Sequence, residues 1–284
     1  MKSEDRVTEK NPIENILRMD RIPHIWCPGC GVGTAFASCL TAIKVSSIDL
    51  QKTVMVSGIG CSGRGAGYAN VDSYHTTHGR AIPFATGMKM ANPELNMIVF
   101  SGDGDLFAIG GNHFIHAARR NVDMTVICMN NFNYGMTGGQ AAATTPYGAK
   151  TTTSTIGNPD TPFNLPLLAY ASGATYVARW TILHTRDLID CLEMAILKKG
   201  FSFIEVLGPC PTNYGRRNKE GTFDTLKMYQ NNTIIKNDAD PSELDIDFNR
   251  GVILGKFVDI DKPVCLDRYN KIYRPQEISE DGAD

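Results

Sequence analysis

The sequence predicts an α/β fold, a parallel sheet with helices on both faces. Three observations carry that expectation. Apolar runs of strand length alternate with longer segments whose apolar residues recur at helical spacing. Several of these runs stop at glycine, as Thr53-Val54-Met55-Val56-Ser57 stops at Gly58 and the run 96–101 stops at Gly102. The chain has 284 residues, enough for a substantial buried core.

Taken in order, residues 1–25 read as a polar N-terminal arm, 26–215 as the body and 216–284 as a C-terminal extension. Val32, Phe36, Leu40 and Ile43 share one face of a helix over 31–45. A buried strand follows at 53–57. Helix and strand then alternate: helix 80–91, strand 96–101, helix 106–119, strand 124–129. Residues 164–172 read as helix and 174–178 as strand. Leu188, Cys191, Leu192 and Ile196 mark one face of a helix over 185–199, and 201–207 is the last clear strand. After Gly215 the periodicity weakens, so the extension is expected to wrap a surface without building a second core.

Composition excludes several classes. Net charge is −2, so no basic field points to nucleic acid. Met1-Lys2-Ser3-Glu4-Asp5-Arg6 is charged with no apolar stretch behind it, so no signal peptide is expected. No apolar run reaches the length of a membrane span. Eight cysteines in such a chain read as thiols or metal ligands of a cytoplasmic protein.

The chemistry gathers at strand ends, where open parallel sheets hold their ligands. Gly102-Asp103-Gly104-Asp105 follows one strand and Asn130-Asn131 the next. Glycines let the backbone approach an anion, and Asp103, Asn131 and a group at Asn133 offer oxygens to a hard cation. A magnesium diphosphate suits that set. A tight turn with Asp103 or Asp105 capping a helix is the alternative for the first motif alone. Cys27-Pro28-Gly29-Cys30, Cys61 and Cys210 sit on loops and offer a thiolate site, whereas Cys39, Cys128 and Cys191 lie within elements and Cys265 in the extension. Zinc or a redox dithiol are further readings of the thiols. Gly58-x-Gly60-x-x-Gly63 also fits a dinucleotide fingerprint, but no acidic residue stands about twenty residues on, where the chain reads His78-Gly79-Arg80.

Gly-Asp-Gly, about twenty-five residues, then Asn-Asn resembles the thiamine diphosphate–magnesium motif. Tyr134-Gly135-Met136-Thr137-Gly138-Gly139-Gln140, Trp26-Cys27-Pro28-Gly29-Cys30-Gly31, Gly58 to Arg64 and His75-Thr76-Thr77-His78-Gly79-Arg80 together resemble the β subunits of 2-oxoacid:ferredoxin oxidoreductases. The likeness runs from about 12 to about 215 and is greatest with the 2-oxoglutarate branch. It implies a thiamine diphosphate-binding (pyrophosphate-type) fold, with that cofactor, Mg2+ and a [4Fe–4S] cluster. Asp103, Asn131 and Asn133 would hold magnesium, and Cys27, Cys30, Cys61 and Cys210 the cluster. Ile59, Gly60, Cys61, Ser62, His78, Gly102, Asp103, Gly104, Asp105, Gly135, Met136 and Thr137 would contact the thiamine cofactor, with His78 and Thr137 nearest the chemistry. The implied reaction is coenzyme A-dependent oxidative decarboxylation of a 2-oxoacid. The implied partners are an α subunit carrying the pyrimidine-side domain, ferredoxin and small additional subunits. Pyruvate or branched-chain 2-oxoacids are the alternative substrates. A non-catalytic iron–sulfur or zinc relay, or a nicotinamide oxidoreductase, are the alternatives of another class.

Overall fold

The structure, a computed structural model, describes residues 11–248 and 250–273. In chain order the elements are α1 (Gly31–Val45), β1 (Thr53–Ser57), β2 (Asp72–His75), α2 (Ala81–Ala91), β3 (Asn96–Gly102), α3 (Gly111–Arg119), β4 (Met124–Asn130), β5 (Asn133–Tyr134) and β6 (Gln140–Ala141). Then come α4 (Leu165–Ser172), β7 (Tyr176–Thr181), α5 (Thr185–Leu197), β8 (Phe201–Leu207), the single turn α6 (Arg216–Asn218), α7 (Thr222–Asn232), β9 (Thr233–Ile235), β10 (Val252–Asp259) and α8 (Cys265–Tyr273). No helix among the described residues is long and apolar enough to cross a membrane.

Eight strands form one sheet in the order β2-β1-β3-β4-β8-β7-β10-β9. The six from β2 to β7 run parallel, and β10 pairs antiparallel with β7. Alternation along each strand feeds two cores. Met55, Ile98, Phe100, Ile127 and Ile204 pack with α1 and α5 on one face. Val54, Val99, Val126, Cys128 and Phe203 pack with α2, α3 and α4 on the other. Central strands buried on both faces read as continuous apolar runs for that reason.

Several boundaries differ from the sequence reading. The helix expected over 106–119 is broken: a π-type turn covers Gly104–Ile109, and α3 begins only at Gly111. Gly110 N–H donates to Asp105 O and closes that wide turn. The strand expected at 174–178 begins at Tyr176 and reaches Thr181. The arm is not wholly polar, since Ile13 and Ile16 are buried in the first core. Strand β2 was not expected, because Asp72-Ser73-Tyr74-His75 is an edge strand with little to bury. Within the C-terminal stretch, β9 and β10 extend the main sheet, and Leu244, Phe257, Val258 and Cys265 join the second core.

One ion pair lies wholly inside. Arg179 on β7 stands opposite Glu205 on β8, and Nε donates to Oε2 at 2.7 Å with both side chains inaccessible to solvent. Arg179 Nη1 also donates to Leu244 O at 2.8 Å, which ties the C-terminal stretch to the sheet. Removing one member strands a buried charge, at a cost of about 3–5 kcal/mol. Arg179→Met should therefore lower the urea midpoint sharply, and Arg179→Met/Glu205→Leu should regain most of the loss.

Candidate functional site

Strands β1, β3, β4 and β8 are parallel neighbours, so the loops after them meet at one edge of the sheet. A single cleft there is lined by Ile59, Gly60, Cys61, Ser62, His78, Gly102, Asp103, Gly104, Asp105, Asn131, Asn133, Gly135, Met136 and Thr137, together with Tyr134. Cys27, Cys30 and Cys210 lie outside it.

Asp105 organises the cleft floor. Its Oδ1 accepts from Ile59 N–H at 3.1 Å, from Gly79 N–H at 2.8 Å and pairs with His78 Nδ1 at 2.5 Å, and its Oδ2 accepts from Ser101 Oγ at 2.8 Å. The carboxylate is buried, and these contacts replace its water. Asp105 thus joins the loop after β1, the loop before α2 and the end of β3. With Nδ1 committed to Asp105, Nε2 is the nitrogen His78 has free for a ligand. The room Asp105 needs comes from Gly58, where a Cβ would fall 1.9 Å from Asp105 Oδ2.

Asp103 and two asparagines form the second centre. Asp103 is buried, and Thr144 Oγ1 donates to its Oδ2. Asn131 Oδ1 and Asn133 Oδ1 are both buried with no hydrogen-bond partner. Buried amide oxygens are normally satisfied, so two orphans in the same cleft as a buried carboxyl fit the ligand set of a hard cation. Asn130 does not belong to this set. Its Nδ2 donates to Glu205 Oε1 at 2.7 Å and its Oδ1 accepts from Phe132 N–H at 3.2 Å, bracing the turn that presents the other two. Phe132 takes a left-handed φ of 64° in that turn.

Two of the loop thiols, Cys61 and Cys210, are neighbours. A Cβ on Gly135 would lie 3.4 Å from Cys210 Sγ and 3.5 Å from Cys61 Sγ. Burial pushes Cys30 up to about 11, with Cys210 and Cys27 adding to it, and pushes Cys61 up to about 12, with Cys30, Cys210 and Cys27 adding to it. Cysteines on loops at this end of the sheet are the residue type a thiolate-ligated cluster requires. Among the described residues, no group of three or more His, Cys, Asp or Glu side chains is gathered round one point. Cys39 and Cys191 pack in the first core, Cys128 and Cys265 in the second.

The remaining candidates are less constrained. Thr137 is exposed and bonds only within its hairpin, donating to Gln140 Oε1 at 2.7 Å. Met136 and Ile59 expose apolar side chains at the cleft mouth. His75 and Arg64 are exposed and outside the cleft. The sequence reading missed three residues: Thr144 on Asp103, Ser101 on Asp105, and Tyr134, whose ring lies over Gly104 where a Cβ would meet it at 2.3 Å. For Tyr134 the signal was present in its motif; for Thr144 there was none, since it contacts Asp103 from 41 residues away.

A strand-end glycine turn, an oxygen cation centre and a cradle at the sheet edge define the cofactor-binding domain of a thiamine pyrophosphate enzyme. The family model "Thiamine pyrophosphate enzyme, C-terminal TPP binding domain" matches residues 53–206. The chain is 50% identical to the 2-oxoglutarate synthase subunit KorB of Methanocaldococcus jannaschii, over 92% of this chain and 97% of that one. It is 47% identical to the subunit of the same name from Methanothermobacter marburgensis, over 92% and 91%. A 2-oxoglutarate:ferredoxin oxidoreductase from Magnetococcus marinus, solved with 2-oxoglutarate, coenzyme A and succinyl-CoA bound, superposes with a TM-score of 0.82 at 30% identity, covering 96% of this chain and 94% of that one. The chain belongs to the family of 2-oxoglutarate synthase KorB subunits.

Burial raises the Asp103 carboxyl from 3.8 to about 7, against the opposing hydrogen bond from Thr144. Its ionisation is therefore costlier in the folded chain than in the unfolded one. This group imposes no penalty below about pH 4, and the metal-free chain should lose stability as pH rises from about 4 to about 7. Asp103→Asn cannot ionise, so a Tm series across that range should be flatter for the variant.

Proposed function

We propose that this chain is the cofactor-binding β subunit of a 2-oxoglutarate:ferredoxin oxidoreductase. The complex would convert 2-oxoglutarate and coenzyme A to succinyl-CoA and CO2 and pass electrons through a [4Fe–4S] cluster to ferredoxin. The observation that carries the cofactor assignment is the pair of buried, unpartnered amide oxygens on Asn131 and Asn133 beside Asp103. The names of the relatives and of the superposed enzyme support the substrate class.

In this reading Asp103, Asn131 and Asn133 hold Mg2+, and the backbone of Ile59–Ser62 and Gly102–Asp105 takes up the diphosphate. Thiamine diphosphate, when bound, supplies the carbon nucleophile and the electron sink for decarboxylation. Asp105 orients His78 so that Nε2 faces the bound anions. Thr137 and Met136 close the cleft on the hairpin side. Cys27, Cys30, Cys61 and Cys210 hold the cluster next to the cofactor, in the reducing cytoplasm where such thiolates persist. The carboxylate that activates the aminopyrimidine ring is assigned to a partner α subunit, which would also cover the exposed side chains of Ile59 and Met136.

Asp103→Ala should abolish thiamine diphosphate retention in the purified complex with far-UV circular dichroism unchanged; normal cofactor content would sink the magnesium assignment. Iron and labile sulfide should fall in single Ser variants of Cys27, Cys30, Cys61 and Cys210 and hold in those of Cys39, Cys128, Cys191 and Cys265. A panel of 2-oxoacids with coenzyme A and a low-potential dye should rank 2-oxoglutarate above pyruvate and branched-chain substrates, and this chain without its partner should turn over none of them.

A further inference from the structure

A hollow of about 530 Å3 has Arg21, Ile25, Arg64 and His75 in its wall. The nearby loop thiol Cys27 is exposed, whereas Cys30 and Cys61 are partly buried and Cys210 is buried. The link is short: Ile25 is two residues from Cys27, Trp26 Nε1 donates to Cys61 O at 2.7 Å, and Arg64 N–H donates to the same carbonyl at 3.3 Å.

The hydrogen-bond partners of Arg18 and Arg21 here are neutral. Arg18 Nε donates to Ala69 O at 2.8 Å and its Nη2 to Ser73 Oγ at 3.2 Å, and Arg21 Nη1 donates to Gly67 O at 2.9 Å. Carbonyls and a hydroxyl fix a guanidinium in place without cancelling its charge. Arg64 has no side-chain partner among the described residues. Among the described residues Arg21 has an ion pair with Asp20, at 4.0 Å and with the Asp20 side chain 79% exposed, too loose a pair to neutralise it. Arg179, elsewhere in the chain, is by contrast matched by Glu205. A chain of net charge −2 thus gathers Arg18, Arg21 and Arg64 in the segments next to the most exposed of its loop thiols. Ile22 and Ile25, 40% and 55% exposed, add apolar contact next to it.

We infer that this surface is where an acidic ferredoxin-type iron–sulfur protein docks to collect electrons, with Arg21 and Arg64 as its steering and contact residues. The inference rests on the proposed cluster at Cys27, Cys30, Cys61 and Cys210. In the step, one electron leaves the reduced cluster and one enters the acceptor's oxidised centre; no bond breaks and no proton moves. Positive charge facing an acidic partner speeds encounter and fixes orientation, and the effect fades as salt rises.

The test uses the complex with its partner subunit and the variants Arg64→Glu and Arg21→Glu/Arg64→Glu. Reduction driven by 2-oxoglutarate and coenzyme A is followed with ferredoxin and, separately, with methyl viologen, a small cation that needs no docking surface. The double variant should raise the KM for ferredoxin about tenfold or more at low ionic strength. Its ferredoxin rate should also lose most of its salt dependence, while dye reduction and iron content stay unchanged. Arg64→Glu alone, which breaks no hydrogen bond, should shift the KM in the same direction. An unchanged ferredoxin KM with full dye reduction overturns the docking assignment, and so does an equal loss with both acceptors. An unmodified complex that reduces neither acceptor defeats the functional reading itself and the docking surface with it.

Discussion

The carboxylate of Asp105 is the joint on which the cleft depends. A buried polar group costs free energy unless it is hydrogen-bonded, and here the bonds come from three separate segments. Two backbone N–H groups, an imidazole and a serine hydroxyl converge on two oxygens. Each donor satisfies the acid and is positioned by it. The loop after β1, the loop before α2 and the end of β3 therefore cannot shift independently, and His78 is held with one nitrogen spoken for and the other free.

A second chain of polar contacts reaches the same cleft from the far side of the sheet. Arg179 pairs with Glu205, Glu205 accepts from Asn130, and Asn130 accepts from Phe132 N–H. At its end stand Asn131 and Asn133 with their oxygens unspent. Burying charge rarely stabilises a fold as well as packed hydrocarbon does. What this chain of contacts supplies instead is a fixed shape for the turn after β4. The same arginine holds Leu244 O, so the C-terminal stretch and the turn after β4 share one anchor.

Much of this was legible in the sequence. Central strands buried on both faces announced themselves as apolar runs, and the glycine turns after β1 and β3 are readable because a strand end that meets a buried side chain requires that residue type. What escaped was set by distance or by the edge of the sheet. Thr144 and Glu205 act on residues far away in sequence, so no local pattern marks them. Strand β2 has almost nothing to bury, β9 has three residues, and β10 follows a weakly periodic stretch, so tertiary pairing decides them. The break before α3 was hidden because Leu106 and Phe107 are as apolar as helix residues would be; Gly110-Gly111 was the available sign.

The way Asp105 is seated bears on how this sequence can change over time. Gly58 is small because Asp105 fills its space, and Gly104 is small because Tyr134 lies across it. A Cβ at Gly79 would strike Ile109 at 2.5 Å, so that position is bound to the π-type turn as well. Drift at any one of these sites is barred unless its neighbour moves first, and the neighbours belong to different segments. The rim of the cleft can diverge only as a block, while a solvent-facing position without such a neighbour is free to vary by itself.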